Sequence, residues 1–370
     1  AGTKGTKIVC NARLLLRVLS LLSLAARMAS AESLRVLVTG ASGYLGQFLL
    51  DDILKDKGIA GGRQITTAGT YTSRPESIPE GVRALHLNLQ DASSIEKCLS
   101  DFTPDVVINL AALSSPAACE KKKEEAEALN APTIFLDALI RFNPAALFIQ
   151  VSTDQIFDGN TPLYSESSEA HPVNTYGATK LMFEEEIKGR WPNHVILRSS
   201  LIYGPVPPRA CSRKDTFLQF LDNSLSKDTP TSLFADEVRC PIYVKDVTTI
   251  ILAFLSGDIF KVCTSKTHEG GLEQRVFNMG GPEPLSRVRM GEIVCRVRGH
   301  DVARITHSKR ADLDLGFTSP LDISMNSSRL IQQTPWVTAA LSRKEDDLTH
   351  NVRNAPAGLA MFEHVATFVL

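Results

Sequence analysis

The chain has 370 residues, of which 43% are hydrophobic and 22% are charged, so its composition is that of a globular protein with a sizeable core. The 40 Lys and Arg residues nearly balance the 41 Asp and Glu residues, and the net charge of -1 leaves no basic excess for binding nucleic acid. The 7 cysteines are scattered without a Cys-x-x-Cys pair, which predicts neither a disulfide framework nor a metal site and is typical of a reducing compartment, the cytoplasm.

Residues 1–33 form a Leu-rich leader with scattered basic residues. Arg17 interrupts the apolar run and leaves too few residues to span a membrane. Two interpretations stay open: a cleavable targeting peptide, or residues that precede a natural start at Met28. We expect the leader to lie outside the fold, and we expect neither a membrane anchor nor a nucleic-acid partner.

From residue 34 onward, short apolar runs alternate with segments of helical spacing. The predicted strands are 34–40, 63–71, 83–91, 105–112, 146–153 and 194–200. The predicted helices are 44–56, 93–102, 119–142 and 175–190. Strands and helices that alternate in this way predict an α/β fold, a doubly wound parallel sheet of the Rossmann type that is covered on both faces.

The alternation loosens after Gly204, where a Pro-rich basic loop follows. We therefore predict a Rossmann domain over 34–204 and a smaller C-terminal substrate lobe built from 205–241 and 258–347. The apolar segment 242–257 between the two parts of the lobe can return to the first domain. Residues 348–370 form a tail whose pattern predicts no structure.

Three glycines in "VTGASGYLG", at the junction of the first strand and helix, predict a phosphate-binding turn. Gly40 permits the tight turn, Gly43 lets the backbone approach a pyrophosphate, and Gly46 lets the helix pack closely on the sheet. The spacing is Gly-x-x-Gly-x-x-Gly rather than Gly-x-Gly-x-x-Gly, and a purely structural turn is the alternative. The residues that this turn would bring to a dinucleotide are Gly40, Ser42, Gly43, Tyr44, Leu45 and Gly46.

No acidic residue occurs from Lys57 through Pro75, where an NAD-selective site places the Asp or Glu that binds the ribose 2′-hydroxyl. Arg74 lies in this stretch, and its guanidinium can pair with a 2′-phosphate through two charge-assisted hydrogen bonds. The sequence therefore predicts NADP(H) as the cofactor, the alternative being that Arg74 is a solvated loop residue.

Two polar clusters follow apolar runs, "STDQ" at the end of a strand and "YGATK" in a helix. Tyr176 and Lys180 are four residues apart and share one helix face. The ammonium group of Lys180 can favour the ionised form of the phenol, whose pKa is otherwise near ~10, and can hold a nicotinamide ribose. Thr153 or Ser152, at the carboxyl end of its strand, can bond a substrate carbonyl. These residues predict hydride transfer between a nicotinamide and a ketone, with Tyr176 delivering the proton.

The motifs "TGASGYLG", "STDQIFDG", "YGATK" and "LRSSLIYG", in this order, resemble those of extended short-chain dehydrogenases/reductases. The likeness is to the dTDP-4-dehydrorhamnose reductases and their eukaryotic relatives, which include the regulatory beta subunit of methionine adenosyltransferase. "RCPIYVKDV" and "SPLDISMNSSRL" extend it, so that it covers about residues 34–347. The resemblance implies catalytic roles for Thr153, Tyr176 and Lys180. It implies cofactor contacts from Asn88, Leu89, Asn109, Ala111, Ala112 and Asn130. It implies substrate contacts from Asp154, Ser200 and Arg239.

Two residues depart from the bacterial reductases. Those enzymes read "STDYVFDG" where this chain has Gln155, and they carry an aromatic residue where this chain has Leu201. Both positions lie where a sugar nucleotide packs, which leaves the deoxysugar substrate open. The regulatory beta subunits also retain Tyr-x-x-x-Lys, so this pair does not separate an enzyme from a regulator.

The sequence favours an NADPH-dependent reductase of a nucleotide-linked 4-keto sugar. A second interpretation is an NADP-binding regulatory partner of the methionine adenosyltransferase catalytic subunit. A third is an epimerase with tightly held NAD, against which the acid-free end of the second strand argues.

Overall fold

The computed structural model of the chain describes residues 33–55, 64–210, 216–227, 229–256, 275–343 and 362–369. The predicted leader up to residue 32 and most of the predicted tail lie outside the described residues. In the described part, no helix has the length and apolar character needed to cross a membrane.

The strands of the described residues follow the predicted order along the chain. They are β1 (Ser33–Thr39), β2 (Gln64–Tyr71), β3 (Arg83–His86), β4 (Val106–Asn109), β5 (Leu147–Thr153), β6 (His194–Ser199), β7 (Ile202–Tyr203), β8 (Thr231–Phe234), β9 (Val238–Arg239), β10 (Ile242–Tyr243), β11 (Val276–Met279), β12 (Leu285–Ser286) and β13 (Ile305–Ser308).

Within the described residues, seven of these strands form one parallel sheet in the order β11-β6-β5-β4-β1-β2-β3. The chain runs outward from β1 in one direction through β2 and β3, and in the other direction through β4, β5 and β6. Open α/β sheets bind ligands in the crevice at such a switch point, outside the carboxyl ends of the strands. The sheet confirms the predicted fold class and places the expected site beside β1 and β4.

The helices of the described residues lie on both faces of the sheet and in the smaller lobe. They are α1 (Tyr44–Lys55), α2 (Ala92–Asp101), α3 (Pro116–Lys121), α4 (Lys123–Asn130), α5 (Thr133–Phe142), α6 (Thr175–Arg190), α7 (Phe217–Leu225), α8 (Val244–Ala253), α9 (Arg287–Arg298), α10 (Ser328–Gln333), α11 (Pro335–Arg343) and α12 (Phe362–Val369).

The segment predicted as one helix over 119–142 is instead divided among α3, α4 and α5. Lys122 ends α3 with φ -136 and ψ 61, and Ala131 ends α4 with φ -126 and ψ 61. Pro132 explains the second break, because a proline lacks the amide proton of a helical bond and disfavours helical angles in the residue before it. The breaks let both α3 and α4 pack against α6.

Two apolar layers cover the two faces of the sheet. One contains side chains of α1, α8 and α11, and the other contains side chains of α2, α5 and α6. A third cluster, the core of the smaller lobe, joins α7, α9 and α12 to residues of α1 and α8. Elements that follow residue 241 therefore contribute to the main body: α8 packs against α1, α11 packs against α8, and β11 pairs with β6 at one end of the sheet.

Candidate active site

A cavity of about 820 Å³ opens at the carboxyl ends of the central strands and reaches the smaller lobe. The glycine turn and both polar clusters line it. The predicted site residues among its lining are Gly40, Ser42, Gly43, Tyr44, Leu45, Gly46, Arg74, Leu89, Ala111, Ala112, Thr153, Asp154, Tyr176, Lys180, Ser200 and Arg239. Asn88, Asn109 and Asn130 are outside this lining.

The glycine turn between β1 and α1 is too tight for larger residues. Gly40 has φ +63, a left-handed angle, and a Cβ there would lie 2.7 Å from the amide nitrogen of Ala111. A Cβ on Gly46 would lie 2.6 Å from the carbonyl oxygen of Ala41, so glycine lets α1 lie close against the turn. The cavity thus meets bare backbone at the start of a helix, which fits the pyrophosphate of a dinucleotide.

The end of β2 brings hydroxyl groups and one guanidinium to the cavity. Thr70 accepts a hydrogen bond from the Gly40 amide at 3.2 Å, which ties β2 to the glycine turn. Arg74 follows, and its guanidinium makes no hydrogen bond or ion pair with any described residue. The acidic residues of the lining, Asp154 and Glu237, belong to other elements. Arg74 thus brings to the cavity a guanidinium that no described residue binds, and this group could pair with an anionic group of a bound nucleotide.

The start of α6 packs against the turn that follows β5, and this contact joins the two polar clusters. Asn174 caps the helix by accepting a hydrogen bond from the Gly177 amide at 2.9 Å, and its own amide donates to the Gln155 side chain at 3.0 Å. A Cβ on Gly177 would lie 2.0 Å from the carbonyl oxygen of Gln155. Because residue 177 has no side chain, the start of α6 can lie close to the turn after β5. Tyr176 and Thr153 therefore line the same cavity.

Lys180 is 3% exposed, and its ammonium group donates to the carbonyl oxygen of Val151 at 2.8 Å. Burial lowers the pKa of this lysine to about 8, and the carboxylate of Glu184 opposes the shift. Glu184 is itself held by a buried ion pair with Arg198 and by the Ser152 hydroxyl at 2.5 Å. The charge of Lys180 therefore changes near pH 8, and a pKa shifted by burial is common for a lysine in a functional site.

Thr153, Asp154 and Ser200 form one hydrogen-bonded group in the cavity. Thr153 accepts from the Gln155 amide and donates to the Asp154 carboxyl group, both at 3.2 Å. Asp154 also accepts from the Ser200 hydroxyl at 2.7 Å. Burial raises the pKa of the Asp154 carboxyl group, and the nearby Arg239 opposes this rise. Of the predicted substrate residues, Asp154 thus bonds Thr153 directly, and Ser200 is connected to Thr153 through Asp154.

Arg239 lines the cavity, but most of its donors are used within the protein. Its guanidinium donates to the carbonyl oxygens of Val238 and Leu321 at 2.7 Å and to that of Pro320 at 2.9 Å. These bonds fasten the 320–321 segment to β9 and leave Arg239 little capacity for a ligand.

Arg287, at the start of α9, is a candidate ligand residue that the sequence did not single out. Its guanidinium carbon lies 4.5 Å from the centroid of the Phe217 ring, and its Nε lies 3.4 Å from Glu237. Its Nη1 is buried and makes no hydrogen bond with a described residue. Burial, together with the charge of Arg239, lowers the pKa of Arg287 to about 10. These features fit the binding of an anion, whereas "SRVRMGE" in the sequence looks like any basic helix.

The asparagines assigned to the cofactor groove have partners within the protein. Asn130 is buried, accepts from the Leu113 amide at 2.8 Å and donates to the Thr179 hydroxyl at 3.0 Å. It links the segment after β4 to α6. The side chain of Asn88 accepts from the Gln90 amide at 3.0 Å in the turn before α2.

A doubly wound parallel sheet with this glycine turn, and with Tyr176 and Lys180 at the same cavity, defines an extended short-chain dehydrogenase/reductase fold. The chain matches the RmlD substrate binding domain family over residues 34–346 and belongs to that family.

The named relatives include proteins of glycan and polysaccharide biosynthesis and subunits of methionine adenosyltransferase. The chain is 29% identical to a probable low-salt glycan biosynthesis reductase of Haloferax volcanii, over 84% of this chain and 95% of that protein. It is 32% identical to methionine adenosyltransferase 2 subunit beta of Danio rerio, over 82% of this chain and 88% of that protein. The same fold occurs in the crystal structure of dTDP-4-dehydrorhamnose reductase from Bacillus anthracis in complex with NADP, with a TM-score of 0.61, 19% identity and coverage of 83% and 97%.

Proposed function

We propose that the chain is an NADPH-dependent reductase of a nucleotide-linked 4-keto sugar. The observation that carries the proposal is that Thr153, Tyr176 and Lys180 line the same cavity as the glycine turn. The name of the Haloferax volcanii relative, a glycan biosynthesis reductase, supports the same class of reaction.

Each side chain has one role in this reaction. NADPH bound at the glycine turn supplies the hydride that reduces the carbonyl carbon. The Thr153 hydroxyl bonds the carbonyl oxygen and orients it. The phenol of Tyr176 transfers its proton to that oxygen as the alcohol forms, and the ammonium of Lys180 stabilises the phenolate that remains.

Arg74 and Arg287 place positive charges at two points of the cavity, one suited to the cofactor and one suited to the substrate. Arg74, at the end of β2, would pair with the 2′-phosphate of NADPH. Arg287, stacked on Phe217 in the smaller lobe, would bind the phosphate groups of the sugar nucleotide. Within the part of the chain that the structure describes, neither guanidinium has its donors used up, in contrast to Arg239.

The test is the Tyr176→Phe variant, assayed by NADPH oxidation with a 4-keto sugar nucleotide. Loss of the proton donor should slow the reaction by roughly 10²–10⁴-fold. NADPH affinity should change little, because the ring and the rest of the cofactor site are retained. Near-full activity of the variant on its substrate would overturn the assignment of Tyr176.

The second candidate is an NADP-binding regulatory beta subunit of methionine adenosyltransferase. Two observations favour it: the relative from Danio rerio carries that name, and both Gln155 and Leu201, the residues that depart from the bacterial reductases, line the cavity. Mixing the chain with a methionine adenosyltransferase catalytic subunit, followed by sizing chromatography, tests it. Co-migration at micromolar concentration together with no reduction of a keto-sugar nucleotide would place this candidate first.

A further inference from the structure

A ladder of buried polar side chains crosses the sheet beside the cavity. Its first member, Thr39, donates through Oγ1 to Oδ1 of Asn109. The Asn109 amide donates to Oε1 of Gln150 at 2.7 Å, and the Gln150 amide donates to the carbonyl oxygen of Val151 at 2.7 Å. That oxygen also accepts the 2.8 Å bond from Lys180. The ladder therefore connects the residue before the glycine turn to the lysine of the second polar cluster.

Strand register explains the ladder. Thr39 lies opposite Asn109, and Asn109 lies opposite Gln150, so the three side chains form one row across β1, β4 and β5. Two residues earlier in each strand, on the same face of the sheet, the corresponding row is apolar and consists of Leu37, Val107 and Phe148. All three polar side chains are at most 1% exposed. Polar groups at this depth are costly unless bonded, and here each one has a partner.

We propose that Gln150 is a positioning residue for Lys180. The Gln150 amide and the Lys180 ammonium donate to one carbonyl oxygen, so the positive end of the amide dipole lies beside the ammonium group. The shared oxygen fixes the place of the ammonium, and the neighbouring dipole disfavours its protonation. When Lys180 turns toward a bound ribose, Gln150 continues to donate to the Val151 carbonyl oxygen. This buried acceptor therefore keeps a hydrogen-bond donor.

Titratable and charged groups outside the ladder lie on the elements around Lys180. Glu184, on the same helix, acts on it directly and raises its pKa. Tyr176 and Asp154 line the same cavity, and Arg198 on β6 pairs with Glu184. Glu120, on a helix packed against α6, accepts a hydrogen bond from the Thr175 amide. The ladder itself is uncharged. A substitution of Gln150 therefore changes the electrostatics at Lys180 while each of these groups stays in place.

The experiment measures the titration of Lys180 by NMR in full-length protein labelled with carbon-13 lysine, the signal being assigned by its absence in Lys180→Met. The pKa of Lys180, about 8 in the unaltered protein, should rise in Gln150→Met, which removes the amide dipole. It should rise by about 1–3 units in Gln150→Glu, which places a carboxylate beside the ammonium. Asn143→Leu is the matched control: this buried amide donates to the Pro104 carbonyl at the opposite end of the strands, and its loss should leave the pKa unchanged.

Unchanged titration of Lys180 in a folded Gln150→Glu protein would overturn the proposal. This variant also decides the matter if Gln150→Met fails to fold, because a glutamate keeps the shape of the side chain and the acceptor for Asn109. The inference depends on the proposed reductase function in one respect, the catalytic role of Lys180. In the reductase assay, the alkaline limb of the pH profile should move upward with the pKa. If the unaltered protein reduces no keto-sugar nucleotide, the proposed function fails, and the NMR titration still tests the position of Gln150.

Discussion

Lys180 shows how a single side chain can work against the stability of the fold that holds it. Its pKa is about 8 in the folded chain, whereas the ordinary value is 10.5. At pH 7 both the folded and the unfolded chain carry the proton, and the folded chain bears the cost of burying the charge. As pH rises from about 8 to 10.5 the folded chain releases its proton first, so this cost declines across that window.

The Lys180→Met variant should therefore be more stable than the unaltered protein at pH 7. We expect a gain of about 1 kcal/mol, since roughly 3 kcal/mol of burial cost is offset by the lost hydrogen bond to Val151. The gain should shrink between pH 8 and pH 10.5. Urea unfolding at several pH values measures it, and Lys188→Met on the same helix, which removes a partly exposed lysine paired with Glu185, is the control and should change stability little. A variant that is less stable at every pH would contradict this account.

We expect Arg74 to determine the choice between the two nicotinamide dinucleotides in the proposed site. The unaltered protein should bind NADPH more tightly than NADH, because its guanidinium is available for the 2′-phosphate. Arg74→Ala should weaken NADPH binding while leaving NADH binding nearly unchanged. Fluorescence titration of both cofactors against both proteins checks this, and equal affinities in the unaltered protein would show that Arg74 does not read the phosphate.

The sequence pattern singled out residues by their type and spacing. It could not show how many hydrogen bonds a side chain makes within the folded protein. Tyr176 and Lys180 were recognisable because their spacing places them on one helix face. Arg239 and Arg287 look alike in the sequence, yet carbonyl oxygens occupy most donors of the first and leave a nitrogen of the second without a hydrogen bond to a described residue. That difference arises only when the 320–321 segment folds back onto β9.

At the scale of elements, the site depends on how closely α6 approaches the turn after β5. The contact is made through Gly177, where a Cβ would lie 2.0 Å from the Gln155 carbonyl oxygen. A side chain there would have to push the helix start away from β5. Tyr176, the neighbouring residue, would move with it.

Gly177→Ala should therefore lower reductase activity by at least tenfold and reduce stability by about 1–3 kcal/mol, as expected when an atom is forced into a packed contact. Gly189→Ala lies on the same helix, and its added Cβ would meet nothing within 4 Å apart from its chain neighbours and the backbone of its own helix. This variant should gain up to about 1 kcal/mol from helix propensity. Thermal unfolding and NADPH oxidation of the two variants provide the comparison. Equal effects of the two substitutions would show that the α6 contact does not position Tyr176.

The ends of helices and strands were predictable from the sequence where a single residue type, such as glycine, determines them. Other ends were predicted less accurately. The glycine turn after β1 appears where its spacing indicated, because Gly40 needs a left-handed angle that other residues avoid. The strand predicted over 83–91 ends instead at His86, since the chain turns between Asn88 and Asp91 to cap α2. An alternation of apolar residues continues through such a turn and does not mark it.

At the scale of the whole molecule, the main body and the smaller lobe are interlocked along the chain. The chain passes from the sheet into α7, returns with α8 and β11, and enters the lobe again with α9. Side chains of α1 and α8 belong to the cores of both parts. We therefore expect both parts to unfold together, as one cooperative unit.

Urea-dependent thiol labelling, read by mass spectrometry, tests this expectation at two buried cysteines. Cys98, on α2, lies in the apolar layer on one face of the sheet, and Cys295, on α9, lies in the core of the smaller lobe. Both should become reactive at the same urea concentration. Labelling of Cys295 at a clearly lower concentration would mean that the lobe opens by itself.

The position of β11 at the end of the sheet has a consequence for synthesis on the ribosome. β6 is buried along its whole length, and β11 pairs with it in the complete chain. Until residues 276–279 emerge, a nascent chain that has otherwise formed its sheet presents β6 as a bare edge, a ready template for pairing with another chain. Chains truncated before residue 276 should therefore self-associate, although they keep most of the residues of the dinucleotide site. During synthesis, the edge of β6 should be protected from pairing with other chains until residues 276–279 have left the ribosome.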